Sequence, residues 1–211
     1  MAGSTYLDGS IATYLDKLAG AEPEPGGGSV AALVGALGAG LVTMVTSLTL
    51  GKEKFAAVQG DMTEIQEVAE RLRGELGEFV SLDAQVYRAV ATAMKLPKET
   101  EEQKAERTRV LQAALKEAAT VPLRVAEAAT QVARLALPAA EKGNPNAVSD
   151  AGVAVLLADA AAQSAALNVK INLAWIDDGS FARETWGRVE LLLSETARLR
   201  DTVLALTYSK L

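Results

Sequence analysis

The chain has 211 residues, a formal net charge of -6 and an aromatic content of 4%. Cysteine and histidine are both absent, which excludes disulfides, thiolate nucleophiles, zinc–thiolate sites and metal sites built on imidazole. Acidity without a basic tract argues against nucleic acid or an anionic membrane surface as a partner, yet leaves room for an anionic small ligand.

The length suits one domain, residues 1–211, with a sizeable core. Abundant Ala, Val and Leu favour helices packed through small side chains. The fold class expected is all-α: a single-domain bundle of about six helices with long central helices. Any proton transfer must use Asp, Glu, Lys, Tyr or water. The lack of cysteine fits a reducing cytoplasm.

Along the chain, the N-terminal run MAGSTYLDGSIATYL has no basic segment leading into an apolar stretch and does not read as a signal peptide. Ser10 caps a first helix through Leu18, closed by Gly20. AEPEPGGGS breaks the helix. A second helix runs from about Ser29 towards Leu50, with small residues at four-residue spacing: Ala31, Gly35, Ala39 and Ala32, Ala36, Gly40. Val30 to Leu50 is uncharged and long enough to span a bilayer, but its Ala, Gly and Thr content suits a buried central helix better. Asp61 with Glu64 reads as a capping box for a third helix reaching Leu96, with Gly74 and Gly77 as weak points. Thr100 with Gln103 is a second capping box. The fourth helix is expected to kink near Pro122 and to stop before Pro138. A loop at 141–146 precedes a fifth helix, capped at Ser149 or a neighbour and running to about Ile176. After the turn at Asp177–Ser180, an amphipathic helix closes the chain near Tyr208.

Several residues stand out chemically. Gly26, Gly27, Gly28 and Ser29 precede a helix, where backbone amides can approach a ligand, or simply form a tight turn. The run is neither a Walker loop nor a dinucleotide fingerprint. Asp83 lies among Phe79, Val80, Val86 and Tyr87. Apolar surroundings would raise its pKa towards that of a useful proton shuttle; the alternative is an Asp paired on a half-exposed face. Ser164, Asn168 and Asn172 make a polar stripe whose partners are another helix, a second subunit or a polar heterocycle. Lys52 and Lys54 either attract an anion or stabilise the end of the second helix. The charged run Lys98–Arg109 reads as a solvated face.

Taken in order, P-x-P-G-G-G-S at Pro23–Ser29, L-T-x-G-K-x-K-F at Leu48–Phe55, D-A-x-x-Y at Asp83–Tyr87, A-M-K-L-P-K-x-T at Ala93–Thr100, V-P-L at Val121–Leu123, G-N-x-x-x-x-S-D at Gly143–Asp150 and N-V-x-I-N-L at Asn168–Leu173 form a specific set. The chain resembles the cyclodeaminase domain of formiminotransferase-cyclodeaminase and its stand-alone bacterial relatives, the methenyltetrahydrofolate cyclohydrolases. The resemblance is collinear over nearly the whole chain. Glu22 departs from it where relatives carry Thr, and Ser81 where the mammalian domain has a second Asp.

The resemblance implies an all-α fold, homodimers with the site near the subunit interface, and one-carbon chemistry on a reduced folate, with no metal or further cofactor. Asp83 is then the proton shuttle. Gly26, Gly27, Gly28 and Ser29 hold an anionic or carbonyl part of folate. Asn144, Asp150, Asn168 and Asn172 orient the pterin or the bridge, with Asp150 alternatively only capping its helix. Lys54 attracts the glutamate tail. The two reactions implied are ammonia release by a cyclodeaminase and water addition by a cyclohydrolase. The alternative is a non-catalytic helical binding or assembly protein that retains the fold.

Overall fold

The computed structural model describes residues 6–211; the first five residues of the N-terminal run lie outside them. Among the described residues there are six α-helices and no strand: α1 (Ile11–Leu18), α2 (Gly27–Ser47), α3 (Gln59–Met94), α4 (Glu101–Lys142), α5 (Val148–Leu173) and α6 (Gly179–Lys210). This matches the expected class.

The bundle is built on α2 and α5, which pack on each other and on the longer α3 and α4, with α6 against α4 and α5. Small residues make this possible. A side chain on Gly38 would put its Cβ 3.1 Å from the Ala154 carbonyl oxygen of α5, tighter than ordinary van der Waals contact, so glycine lets the two backbones meet here without either giving way. Ala31, Ala32, Ala39, Val42 and Val45 of α2 and Ala151, Ala154, Val155, Ala158 and Ala161 of α5 are buried. Both helices are long and apolar enough to cross a membrane, but 50% and 56% of their most apolar windows are buried inside the bundle, as expected of core helices.

Helix ends follow local chemistry in three places. Ser10 accepts the Thr13 amide at 3.1 Å. Thr100 and Gln103 form the reciprocal capping box, at 3.2 and 3.3 Å. Asp178 accepts the amides of Ser180 and Phe181, both at 3.1 Å, and opens α6.

Elsewhere tertiary structure overrides the sequence signal. Asp61 does not cap α3. That helix begins at Gln59 after a 3₁₀ turn, Glu53–Val58, and the Asp61 carboxylate pairs with Lys142 at the end of α4. Gly74 and Gly77 do not interrupt α3. Ser149 caps nothing: α5 continues from a 3₁₀ turn, Pro145–Ala147, whose cap is Asn144. Pro138 lies inside α4 rather than beyond it. The turn that follows it buries Ala139 and Ala140 in the core, and Lys210 donates to the Ala140 and Glu141 carbonyls at 2.7 and 3.0 Å, covering the helix end.

Candidate active site

At one end of the bundle α2 begins, α3 passes alongside, and the last turns of α5 face the middle of α4. The cavity formed between them is about 320 Å³, at the lower end of the range for small-molecule sites. Pro23, Glu24 and Gly26 to Gly28 form one wall, Asp83 and Tyr87 of α3 a second, and Ala118 of α4 with Asn168 and Asn172 of α5 a third. Met94, Ile171 and Trp175 also line it and are 46%, 64% and 65% exposed, which marks the open side.

Asp83 is the centre of the arrangement. Its Oδ2 accepts the backbone N–H of Ser29 at 3.0 Å, in the first turn of α2. The cap residue of that helix, Gly26, makes no side-chain cap bond, so a carboxylate from a different helix satisfies the orphan amide. Gly28 is what permits the approach: a Cβ there would lie 2.0 Å from Asp83 Oδ1. Burial pushes the Asp83 carboxyl above its ordinary range, the Ser29 N–H opposes the rise, and the nearby Glu24 charge adds to it. Glu24 is itself ion-paired with Arg88.

The Ser29 side chain is fully buried and bonds the Tyr14 hydroxyl at 3.0 Å, so this residue contributes its amide rather than its hydroxyl. Burial raises the Tyr14 phenol, which keeps that partner neutral. Ser81, at the departing position, does not line the cavity; its hydroxyl accepts the Tyr6 amide at 3.1 Å. Asn168 donates through Nδ2 to the Ser164 carbonyl at 2.9 Å, and Asn172 through Nδ2 to those of Ala118 and Asn168 at 2.8 and 2.9 Å.

The candidates named from sequence thus divide. Gly26, Gly27, Gly28, Asp83, Asn168 and Asn172 meet around one cavity, with Ser29 behind it. Lys54, Asn144 and Asp150 stand at the other end of the bundle. Asp150 is in the first turn of α5, about 27 Å along the helix from Asn168. Asn144 uses its side chain locally, donating to the Leu48 carbonyl and accepting the Asn146 amide, and its own amide donates to Thr49. Lys54 lies over the Phe55 ring in the turn after α2. Within one protomer these three do not reach the cavity. Glu24 and Trp175 were missed. Glu24 lies inside the proline–glycine run, and Trp175 extends the Asn168–Asn172 stripe by one turn; both signals were present. Among the described residues no set of three or more Asp or Glu side chains gathers as a metal site would require.

A six-helix bundle with a carboxylate held at a helix N-terminus beside two amides defines a small-molecule site suited to proton transfer. The family profile described as Formiminotransferase-cyclodeaminase matches residues 10–191, and the chain belongs to that family. It is 45% identical over 210 residues to a methenyltetrahydrofolate cyclohydrolase of Methylorubrum extorquens, covering 100% of this chain and 99% of that protein. It is 35% identical to the rat formimidoyltransferase-cyclodeaminase over 90% of this chain, which spans only 35% of that longer protein. The crystal structure of a formiminotetrahydrofolate cyclodeaminase from Thermotoga maritima superposes with a TM-score of 0.85 at 31% identity, covering 95% of this chain and 96% of the other.

Proposed function

We propose that this chain is a soluble, cytoplasmic methenyltetrahydrofolate cyclohydrolase, adding water to the N5/N10 methenyl bridge of tetrahydrofolate to form 10-formyltetrahydrofolate. The observation that carries the reading is Asp83, a carboxylate with a raised pKa held on a helix N-terminus at the cavity wall. The full-length likeness to the Methylorubrum enzyme favours hydrolysis over ammonia release.

In this reading ionised Asp83 offsets the cationic bridge and takes a proton from the attacking water. A tetrahedral carbon forms. As its bond to N5 breaks, Asp83 returns the proton to N5, and the hydroxyl on carbon releases its own to solvent as the formyl carbonyl forms. One cation and one water become one neutral product and one proton. No oxidation state changes, so no redox cofactor is called for.

Asn168 and Asn172 orient the pterin, with the amides of Gly26 to Gly28 beside them. A homodimer completes the site. Leu37 and Met44 lie exposed on one face of α2, with Leu48 at its C-terminal cap, and Val153, Leu156, Leu167 and Ile171 on one face of α5, with Trp175 in the turn just beyond its end. Two copies packed antiparallel along these faces carry Lys54, Asn144 and Asp150 of one towards the cavity of the other. There Lys54 attracts the glutamate tail and Asp150 orients the ligand, while the buried Asn144 shapes the turn beside them.

The test is the absorbance of the methenyl chromophore. Loss accelerated well beyond the uncatalysed rate is expected. A second reading, cyclodeamination, is favoured by the likeness to the Thermotoga enzyme. Appearance of the chromophore from 5-formiminotetrahydrofolate, with no acceleration of its loss, would establish that reading instead. Folate binding without turnover in either assay would mark a non-catalytic binding protein.

A further inference from the structure

Resting on the folate reading of this cavity, we infer that Pro122, which does not line the cavity, is a positioning residue that makes Asn172 present only a hydrogen-bond acceptor to the ligand. Pro122 sits inside α4 and has no N–H, so the carbonyl of Ala118, one turn earlier, has no helical partner. Ala118 forms part of the cavity wall. Its freed oxygen accepts Asn172 Nδ2 at 2.8 Å, and the Asn168 carbonyl accepts the same nitrogen at 2.9 Å.

A primary amide has two N–H donors on nitrogen and only lone pairs on oxygen. Two carbonyl oxygens can be met only by the nitrogen. Both hydrogens of Asn172 are therefore committed, and Oδ1 is what the side chain has left for the cavity. That wall selects a ligand edge rich in N–H groups, such as the amino-pyrimidinone of a reduced pterin, over an edge of lone pairs. With an ordinary residue at 122, its N–H would take the Ala118 oxygen. Asn172 would then lose one anchor, and its amide would be free to turn.

The experiment compares Pro122→Ala with the parent. The side-chain NH2 resonances of Asn172, assigned by their loss in Asn172→Ala, are followed by hydrogen exchange without ligand. Slow exchange in the parent, and exchange at least about tenfold faster in Pro122→Ala, is expected on loss of one of two hydrogen bonds. With 5,10-methenyltetrahydrofolate, KM should rise about fivefold while kcat changes less than about twofold, the size of one neutral hydrogen bond. Equal amide protection in the two proteins overturns the proposal, as does an unchanged KM. Should Pro122→Ala not fold, Asn172→Ala decides: a KM equal to the parent's overturns it. If the parent turns over no folate, the functional reading fails, while amide exchange still reports whether Pro122 holds Asn172.

Discussion

The Asp83 carboxylate accepts the Ser29 amide across 54 positions of sequence, standing where the cap side chain of α2 would stand had Gly26 possessed one. One group therefore does two jobs. It satisfies an orphan helix amide, and it keeps a carboxylate at the cavity wall with its pKa raised chiefly by burial.

Replacing the carboxylate separates those jobs. Asp83→Asn keeps an oxygen for the Ser29 amide and removes a charge that burial disfavours. Because the folded pKa is raised, the stability contributed by parent Asp83 is fully present below its unfolded pKa and is lost as pH rises through the folded pKa. At neutral pH the variant should melt no lower than the parent. Its kcat should fall about 10² to 10⁴-fold, the usual worth of a positioned acid–base group. Thermal melts and initial rates check both.

The acidic limb of the pH–rate profile should lie above that of an ordinary aspartate, because Asp83 must be ionised to accept a proton from water. The Glu24 charge adds to that rise. Glu24→Gln removes that charge and so lowers the Asp83 pKa. The limb should move to lower pH in kcat/KM measured from pH 4 to 8.

Neighbouring glycines should respond oppositely to the same substitution. A Cβ on Gly28 would lie 2.0 Å from Asp83 Oδ1, whereas one on Gly27 would meet the Asn168 amide at an ordinary 3.5 Å. Gly28→Ala should displace the carboxylate, cost about 1 kcal/mol through the lost Ser29 bond and lower activity at least about tenfold. Gly27→Ala should be tolerated. Melting curves and rates on the two variants make the comparison.

Leu167 is 74% exposed in the protomer, so Leu167→Glu should leave the isolated chain folded. If the α5 face joins two copies, the variant should sediment at half the parent's mass and lose activity. An unchanged mass would show that this face is not the interface.

Local signals alone made much of the architecture legible. Ser10, Thr100 with Gln103, and the small-residue spacing of α2 act through neighbours in sequence, so the all-helical class and several boundaries could be read directly. Asp61 with Glu64 carries the same local signal as Thr100 with Gln103, yet the carboxylate goes to Lys142 instead. Capping energies of about 1 kcal/mol yield readily to tertiary packing. Pro138 remained helical for the same reason, with buried alanines on its C-terminal side.

By itself the sequence determined the class of the fold, the absence of thiol and imidazole chemistry and the residues worth examining, since these depend on composition, spacing and ordered motifs. Only the tertiary structure decided which of them meet. It set Asp83 on the α2 N-terminus, buried the Ser29 hydroxyl against Tyr14, and left Lys54, Asn144 and Asp150 at the opposite end of a bundle whose α2 is about 30 Å long. The reason is geometric. Residues far apart in sequence come together only through helix packing, and the closeness of that packing depends on side-chain volume, which at Gly28 is the hydrogen that leaves room for a carboxylate.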